Sequence, residues 1–282
     1  ALTSDYDNTA PIEKNRKEIM LDWLSAGLSP EKSTLFVQSR VKEHAELFLL
    51  LTMITPVPWL ERNPTYKEQI GELSNKDLST FGFLGYPVLQ AADIIIYKPD
   101  GVPVGVDQAP HVEITREIAR RFNHFYGDVF PEPATILTET PKILGMDRRK
   151  MSKSYDNAIF LADSPDEISS KVSRMITDPQ RARRSDPGNP DVCNVFDFHK
   201  IYTLPAKVKE IDEQCRKAAI GCVECKQKMA QGLIKALEPI RDKRAYFEAR
   251  PKLVEDIMTD GSDKARRTAC QTMEDVRAAV KI

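Results

Sequence analysis

Val102-Pro103-Val104-Gly105-Val106-Asp107-Gln108-Ala109-Pro110-His111 reads as a short strand that ends in a glycine and passes at once into the start of a helix. Ile114, Ile118 and Phe122 continue that helix at a 3.6-residue period. A strand handing over to a helix through a tight polar turn is the repeating unit of α/β folds. The crevice at the strand end is where such folds usually take a ligand. Gly105, Asp107 and Gln108 stand at that turn, so they are the first candidate binding residues.

Working outward, the block Gly85-Tyr86-Pro87-Val88-Leu89-Gln90-Ala91-Ala92-Asp93-Ile94-Ile95-Ile96-Tyr97 is apolar apart from Gln90 and Asp93. Three residues apart on a helix, these two share a face. A carboxylate in such surroundings needs a partner, and the plain structural reading gives Asp93 a backbone or arginine donor. Further upstream, Pro11 opens a helix whose apolar positions Ile19, Trp23 and Leu28 recur at helical spacing, with Gly27 at its end. Ser33-Thr34-Leu35-Phe36-Val37-Gln38 has the composition of a short buried strand. Residues 41–55 read as a helix apolar on most sides, hence a core element or a subunit interface. Pro56, Pro58 and Pro64 mark residues 56–80 as a connection, with a short helix over residues 66–70.

The 282 residues are 41% apolar and 29% charged, which describes a globular chain long enough for two domains. No apolar run reaches membrane-spanning length and the start carries no signal-like segment, so the expectation is a cytoplasmic protein with no membrane partner. The net charge of −1 hides an asymmetry. Residues 1–141 carry 13 Lys/Arg against 20 Asp/Glu, and residues 142–282 carry 28 against 22, so a polyanion is expected in the second half. The densest basic stretch is Gly145-Met146-Asp147-Arg148-Arg149-Lys150-Met151-Ser152-Lys153-Ser154. Lysine is a flexible point charge that follows a moving phosphate, so Lys150-x-x-Lys153 suits a loop that tracks charge in phosphoryl or nucleotidyl transfer. An exposed basic turn is the plainer alternative.

Beyond residue 154 helices predominate. Ser164-Pro165-Asp166-Glu167 has the form of a capping box. Arg181, Arg183 and Arg184 cluster in a polar loop whose default reading is a solvated one. Apolar stripes follow at Val208, Ile211 and Cys215; at Met229, Leu233, Leu237 and Ile240; and at Ala265, Ala269, Val276 and Val280. Cys193, Cys215, Cys222 and Cys225 fall within 33 residues, separated by 21, 6 and 2 residues, while Cys270 stands apart. In a cytosolic chain this clustering argues for a metal, with Cys222-x-x-Cys225 at a helix start. Thiolates alone do not separate zinc from iron and sulfur, and four small buried apolar residues are the bland alternative.

Lys150-Met151-Ser152-Lys153-Ser154 resembles the second signature of the class I aminoacyl-tRNA synthetases. Tyr86-Pro87-Val88-Leu89-Gln90-Ala91-Ala92-Asp93-Ile94, Val102-Pro103-Val104-Gly105, Asp107-Gln108 and His111-Val112-Glu113-Ile114-Thr115-Arg116 resemble, in order and spacing, the bacterial tryptophanyl branch of that family. The resemblance implies a Rossmann-like parallel-sheet core over residues 1–154, with its N-terminal part missing, followed by an α-helical anticodon-binding domain over residues 155–282. It implies tryptophan, ATP with Mg²⁺, and tRNA(Trp) as ligands, and a homodimer. Asp93 would accept the indole N–H, Tyr86 and Gln108 would hold the amino and carboxylate end with Gln90 beside them, and Val102 and Val104 would wall the ring. Lys150 and Lys153 would be catalytic, and Gly105, Asp107, Met151, Ser152 and Ser154 would join them around ATP. Indole presents one donor on a large apolar ring, so a single placed acceptor rejects phenylalanine by being left unpaired. On the cysteines, the resemblance implies a 4Fe-4S cluster, with zinc as the alternative.

One family feature is absent. The first signature, His-x-Gly-His or a close variant, contacts ATP in the family, and none of His44, His111, His124 and His199 begins one. Residues 1–5 resemble the segment after the family's second strand. The expectation is therefore that two strands and a helix precede Ala1 in the whole enzyme and that this segment alone is inactive. A tyrosine-specific relative and a non-catalytic tryptophan- or tRNA-binding protein are the alternatives.

Overall fold

The computed structural model describes residues 6–64, 66, 67, 70, 78–137, 143–149, 151 and 155–282. They form two compact units, one from residues 1–20, 29–140 and 251–282, the other from residues 21–28 and 141–250. Among the described residues no helix is long and apolar enough to cross a membrane.

In the first unit, α1 (Ile12–Ala26) gives its first part, and α2 (Glu43–Thr52), α3 (Val57–Glu61) and α4 (Phe81–Ile95) follow. Thr80 caps α4 by accepting the Phe83 backbone N–H. The strand β1 (Gly101–Val104) then leads through a 3-10 turn at Val106–Gln108 into α5 (Ala109–Tyr126), which returns the chain to β2 (Ala134–Leu137). β1 and β2 are parallel, Gly101 opposite Ala134 and Val104 opposite Leu137. A parallel pair requires such a crossover, so the strand-turn-helix reading of residues 102–111 gives the topology as found. The expected α/β class with a parallel sheet and a helical remainder holds.

The core of this unit joins Leu47 and Leu51 of α2, Val88, Ala91, Ala92 and Ile95 of α4, and Ile118 and Phe122 of α5, with Ala265, Ala269, Met273 and Val276 of a final helix, α10. Fully burying one such Leu or Phe side chain contributes roughly 1.5–3 kcal/mol. α10 (Pro251–Val280) therefore belongs with the first unit, not with the helical half in which residues 155–282 were placed by sequence. Its stripe is apolar on one side only and needed a core, and periodicity does not say which. Two other expectations change. Residues 33–37 form no strand: the Val37 N–H goes to Ser262 Oγ at 3.3 Å, and the Leu35 backbone lies against Gly261 of α10. On α1 the helix is found, but Ile19 and Trp23 are about half exposed while Met20, Leu24 and Ser25 are buried.

In the second unit, α6 (Pro165–Ser173), α7 (Asn194–Tyr202), α8 (Pro205–Arg216) and α9 (Cys222–Glu248) surround a core of Ile168, Val172, Met175, Val195, Phe198, Ile211, Met229, Leu233 and Leu237. The capping box at α6 is complete, Ser164 accepting from the Glu167 N–H and Glu167 accepting from the Ser164 N–H. Gly232 lets α9 approach the end of α7, where an added Cβ would stand 2.9 Å from the Tyr202 carbonyl oxygen.

Candidate active site

Tyr86, Gln90 and Asp93 are spaced along α4 so that they share one helical face, and Tyr97 follows in the turn just beyond the helix end. All four are partly buried, and the other faces of the helix carry the core. The Asp93 carboxylate is held by two side chains, Gln38 and His44, which local sequence does not mark as its partners. Gln38 Nε2 lies 2.7 and 2.6 Å from its two oxygens, and His44 Nδ1 lies 2.5 Å from Oδ1. The expected partner, a backbone or arginine donor, is not what these bonds supply. His44 also meets the Tyr97 hydroxyl through Nε2 at 2.7 Å.

At the other end of the same face, the Tyr86 hydroxyl lies 3.2 Å from Nε2 of His111, a side chain only 1% exposed in the first turn of α5. The Asn63 amide nitrogen is 3.1 Å from His111 Nδ1. An amide nitrogen only donates, so Nδ1 accepts and Nε2 carries the proton toward Tyr86. Burial lowers the His111 pKa, against a smaller opposing effect of the Asp107 charge, and burial pushes the Tyr86 phenol up to about 12. Both stay neutral near pH 7, which keeps this donor order intact.

β1 sets Val102 and Val104 on one face of the sheet, each partly buried, with exposed Pro103 between them. Gly105 follows in extended geometry, where a Cβ would come within 2.8 Å of Asp107 Oδ1. Asp107 accepts from the Gln108 amide at 3.2 Å. The strand end, the glycine and the two polar side chains are thus gathered in one turn, as expected.

In the second unit the root of the basic loop is tightly bonded. Gly145 N–H donates to Arg149 O at 2.8 Å, Met146 N–H to Asn157 O at 2.9 Å, and Ile176 N–H to Met146 O at 3.0 Å. Asn194 Nδ2 holds the Gly145 carbonyl at 2.8 Å, and a Cβ on Gly145 would stand 2.3 Å from Asn157 Nδ2. Asn157 donates to Asp147 at 2.8 Å and, with Arg149, holds that carboxyl at about 2. Met151 packs against the core, and the Arg149 guanidinium lies 4.7 Å over the Tyr155 ring. Lys150, Ser152, Lys153 and Ser154 lie outside the described residues.

Cys193, Cys215, Cys222 and Cys225 are free thiols of the second unit. Burial is the first cause raising the pKa of Cys193, Cys215 and Cys225, the last to about 12, and the neighbouring cysteines add to it. The Arg181 guanidinium lies 3.8 Å from both Cys215 and Cys222 Sγ and donates to the Arg184 and Ile220 carbonyls, so this arginine is built into the cluster instead of solvated. Cys222 opens α9 after Gly221, as expected. Among the described residues, no three His, Cys, Asp or Glu side chains are set to hold a metal ion. The thiols are neighbours that affect one another's ionisation, but they form no ligand arrangement, and the Arg181 cation stands against two of them. Cys270 is elsewhere, its Sγ 3.1 Å from the Glu43 carboxylate.

A parallel strand-turn-helix with polar side chains gathered at the strand end is the ligand-binding unit of α/β folds. The family model described as tRNA synthetases class I (W and Y) matches residues 1–238, and the chain belongs to this family. Within it, the tryptophan--tRNA ligase of Thermotoga maritima is 50% identical over 283 residues, covering 100% of this chain and 86% of the relative. The tryptophan--tRNA ligase of Aquifex aeolicus is 46% identical over 352 residues, with 100% and 89% covered. The crystal structure of tryptophanyl-tRNA synthetase from Campylobacter jejuni, complexed with ADP and tryptophan, matches with a TM-score of 0.88 at 30% identity, covering 100% of this chain and 86% of that one.

Proposed function

We infer that this chain is a tryptophan--tRNA ligase, which activates tryptophan with ATP and transfers it to tRNA(Trp). The observation that carries the reading is identity of 50% and 46% to ligases of that name along the whole chain. In the first step a tryptophan carboxylate oxygen attacks the α-phosphorus of ATP, the bond to the β-phosphate oxygen breaks, and pyrophosphate leaves. In the second, a ribose hydroxyl at the tRNA end attacks the acyl carbon and AMP leaves. Asp93 takes the indole N–H, Tyr86, Gln90 and Gln108 face the amino-acid end, and Val102 and Val104 flank the ring. Gly105 and Asp107 at the β1 end, with Lys150, Met151, Ser152, Lys153 and Ser154, serve ATP, and Mg²⁺ enters with its phosphates. The chemistry asks mainly for positioning and for positive charge where pyrophosphate develops. Charging of unfractionated tRNA by the whole enzyme, with the first-signature segment present, tests this: labelled tryptophan should be esterified to one acceptor. Esterification of tyrosine instead would establish the tyrosine-specific alternative, and retention of tryptophan without charging the non-catalytic one.

Cys193, Cys215, Cys222 and Cys225 are the residues that would hold a 4Fe-4S cluster, or zinc as the alternative. Cys193, Cys215 and Cys225, whose ionisation is suppressed by burial and by neighbouring thiols, support this, because a cationic centre would relieve both effects. Such a centre would supply structural cross-linking of residues 193–225, with no part in the acyl chemistry.

A cytoplasmic homodimer is the proposed assembly. Leu49 and Met53 lie four residues apart, 56% and 71% exposed, and so give the end of α2 an apolar outer face suited to a second copy. Sedimentation should give twice the chain mass, and Met53→Lys should shift it toward one.

A further inference from the structure

His44 is 3% exposed, and each of its ring nitrogens has one partner: Asp93 Oδ1 at 2.5 Å from Nδ1, and the Tyr97 hydroxyl at 2.7 Å from Nε2. Asp93 stands in the last turn of α4 and Tyr97 just beyond its end, and His44 reaches between them from α2. Phe36 packs on both rings, with centroids 5.9 Å from His44 and 5.7 Å from Tyr97. The proton positions follow from these contacts. A bare nitrogen at 2.5 Å from a carboxylate would set two acceptors against each other, so Nδ1 carries the hydrogen. The other ring nitrogen, Nε2, meets the Tyr97 hydroxyl, which fixes the orientation of the ring. Tyr97 remains protonated, since burial and then the charges of Asp93 and Glu43 raise its pKa above the ordinary range.

The consequence falls on Asp93. A carboxylate turns easily about its last bond, because that torsion is broad and roughly two-fold. An acceptor that turns freely can move aside from a ring that brings no donor, and so loses the penalty on which rejection depends. We propose that His44, steadied by Tyr97, is a positioning residue for amino-acid selection: its Nδ1–H fixes Asp93 Oδ1 and so leaves Oδ2 aimed at the ring N–H of an incoming aromatic amino acid. Gln38 bridges both oxygens from the exposed side and supplements this bond. The inference rests on the reading of Asp93 as the indole acceptor and adds to it the side chain that makes the acceptor selective.

The test is equilibrium titration of tryptophan and of phenylalanine into the protein and its Asp93→Ala, His44→Leu, His44→Asn and Tyr97→Phe variants, each first checked for native circular dichroism. His44→Leu should weaken tryptophan roughly tenfold while leaving phenylalanine nearly unchanged, so that selectivity collapses. His44→Asn, whose amide N–H replaces Nδ1–H, should restore most of the ratio, and Tyr97→Phe should lower it by about two- to fourfold. A role in packing alone would move the melting temperature without moving the ratio. Selectivity unchanged in His44→Leu while Asp93→Ala loses it overturns the role of His44 alone. So does a His44→Asn variant as unselective as His44→Leu. Selectivity unchanged in Asp93→Ala overturns the reading of Asp93 and this inference with it.

Discussion

The Tyr86 hydroxyl and His111 Nε2 lie 3.2 Å apart, and Asn63 on the far side of the imidazole fixes which of them donates. His111 gives its Nε2 hydrogen to the phenol, whose own hydrogen and one lone pair remain for the polar end of a ligand. Asn63→Leu should release the tautomer and raise KM for tryptophan several-fold with less change in kcat, since a binding contact is loosened without altering charge at phosphorus. Nitrogen chemical shifts of the His111 ring check the premise: Nδ1 should appear as the unprotonated nitrogen in the parent protein, and a bare Nε2 would refute it.

Gly261 is the second relationship that a single substitution exposes. A Cβ there would stand 1.9 Å from the Leu35 carbonyl oxygen, so α10 and residues 33–37 meet backbone to backbone. Alanine would ordinarily favour a helix by about 1 kcal/mol over glycine. Here Gly261→Ala should instead destabilise by about 1–3 kcal/mol or more, the scale of overpacking. Calorimetry should record this as a Tm lower by roughly 2–4 °C per kcal/mol.

Asp147 makes the root of the basic loop acid-sensitive. Its carboxyl is held at about 2, below an ordinary 3.8, first by the Asn157 hydrogen bond and then by Arg149. A depressed folded-state value means that the contribution is whole above about pH 4 and fades as the pH falls from there toward 2. Asn157→Ala should move the Asp147 titration upward toward the ordinary carboxylate range in an NMR pH series, and an unmoved titration would show that Arg149 alone sets it. Gly145→Ala, whose new methyl would displace Asn157, should act in the same direction.

The thiol cluster makes a chromophore prediction. Anaerobically prepared protein should be brown and should contain iron and acid-labile sulfide in equal amounts. Cys222→Ser should abolish the visible band and Cys270→Ser should leave it, since Cys270 lies against Glu43 in the other unit. Colourless protein with stoichiometric zinc would establish the alternative metal. Protein with neither would make the four thiols ordinary apolar packing.

What was legible in the sequence was local. The β1-to-α5 turn, the capping box at Ser164 and the stripe Ile114, Ile118 and Phe122 were readable because each is decided within a few residues. Long-range choices were not. Ser33 to Gln38 has strand composition, but a strand needs a ladder, and Val37 finds the Ser262 hydroxyl instead. α1 carries apolar residues on two faces, Met20 and Leu24 on one, Ile19 and Trp23 on the other, and only packing selects the first. The stripe of α10 was read correctly but assigned to the wrong core. Of the site, Gln90 and Asp93 stood out as polar residues in an apolar run and Asp107 and Gln108 as a polar turn, and Tyr86 came from the family resemblance, whereas Gln38, Asn63, His44, His111 and Tyr97 did not stand out. A histidine within the apolar run of α2 and another just after a helix start were signals that could have been followed.

Amino-acid-dependent ATP–pyrophosphate exchange tests the central reading most directly, measured for the whole enzyme, with the first-signature segment present, and for its Lys153→Ala variant. Tryptophan alone among tryptophan, tyrosine and phenylalanine should drive exchange. Lys153→Ala should slow it by roughly a hundredfold or more while tryptophan affinity changes far less, because the charge on departing pyrophosphate develops only in the transition state. Exchange driven by tyrosine, or tryptophan affinity falling in step with the rate in the lysine variant, would contradict the account.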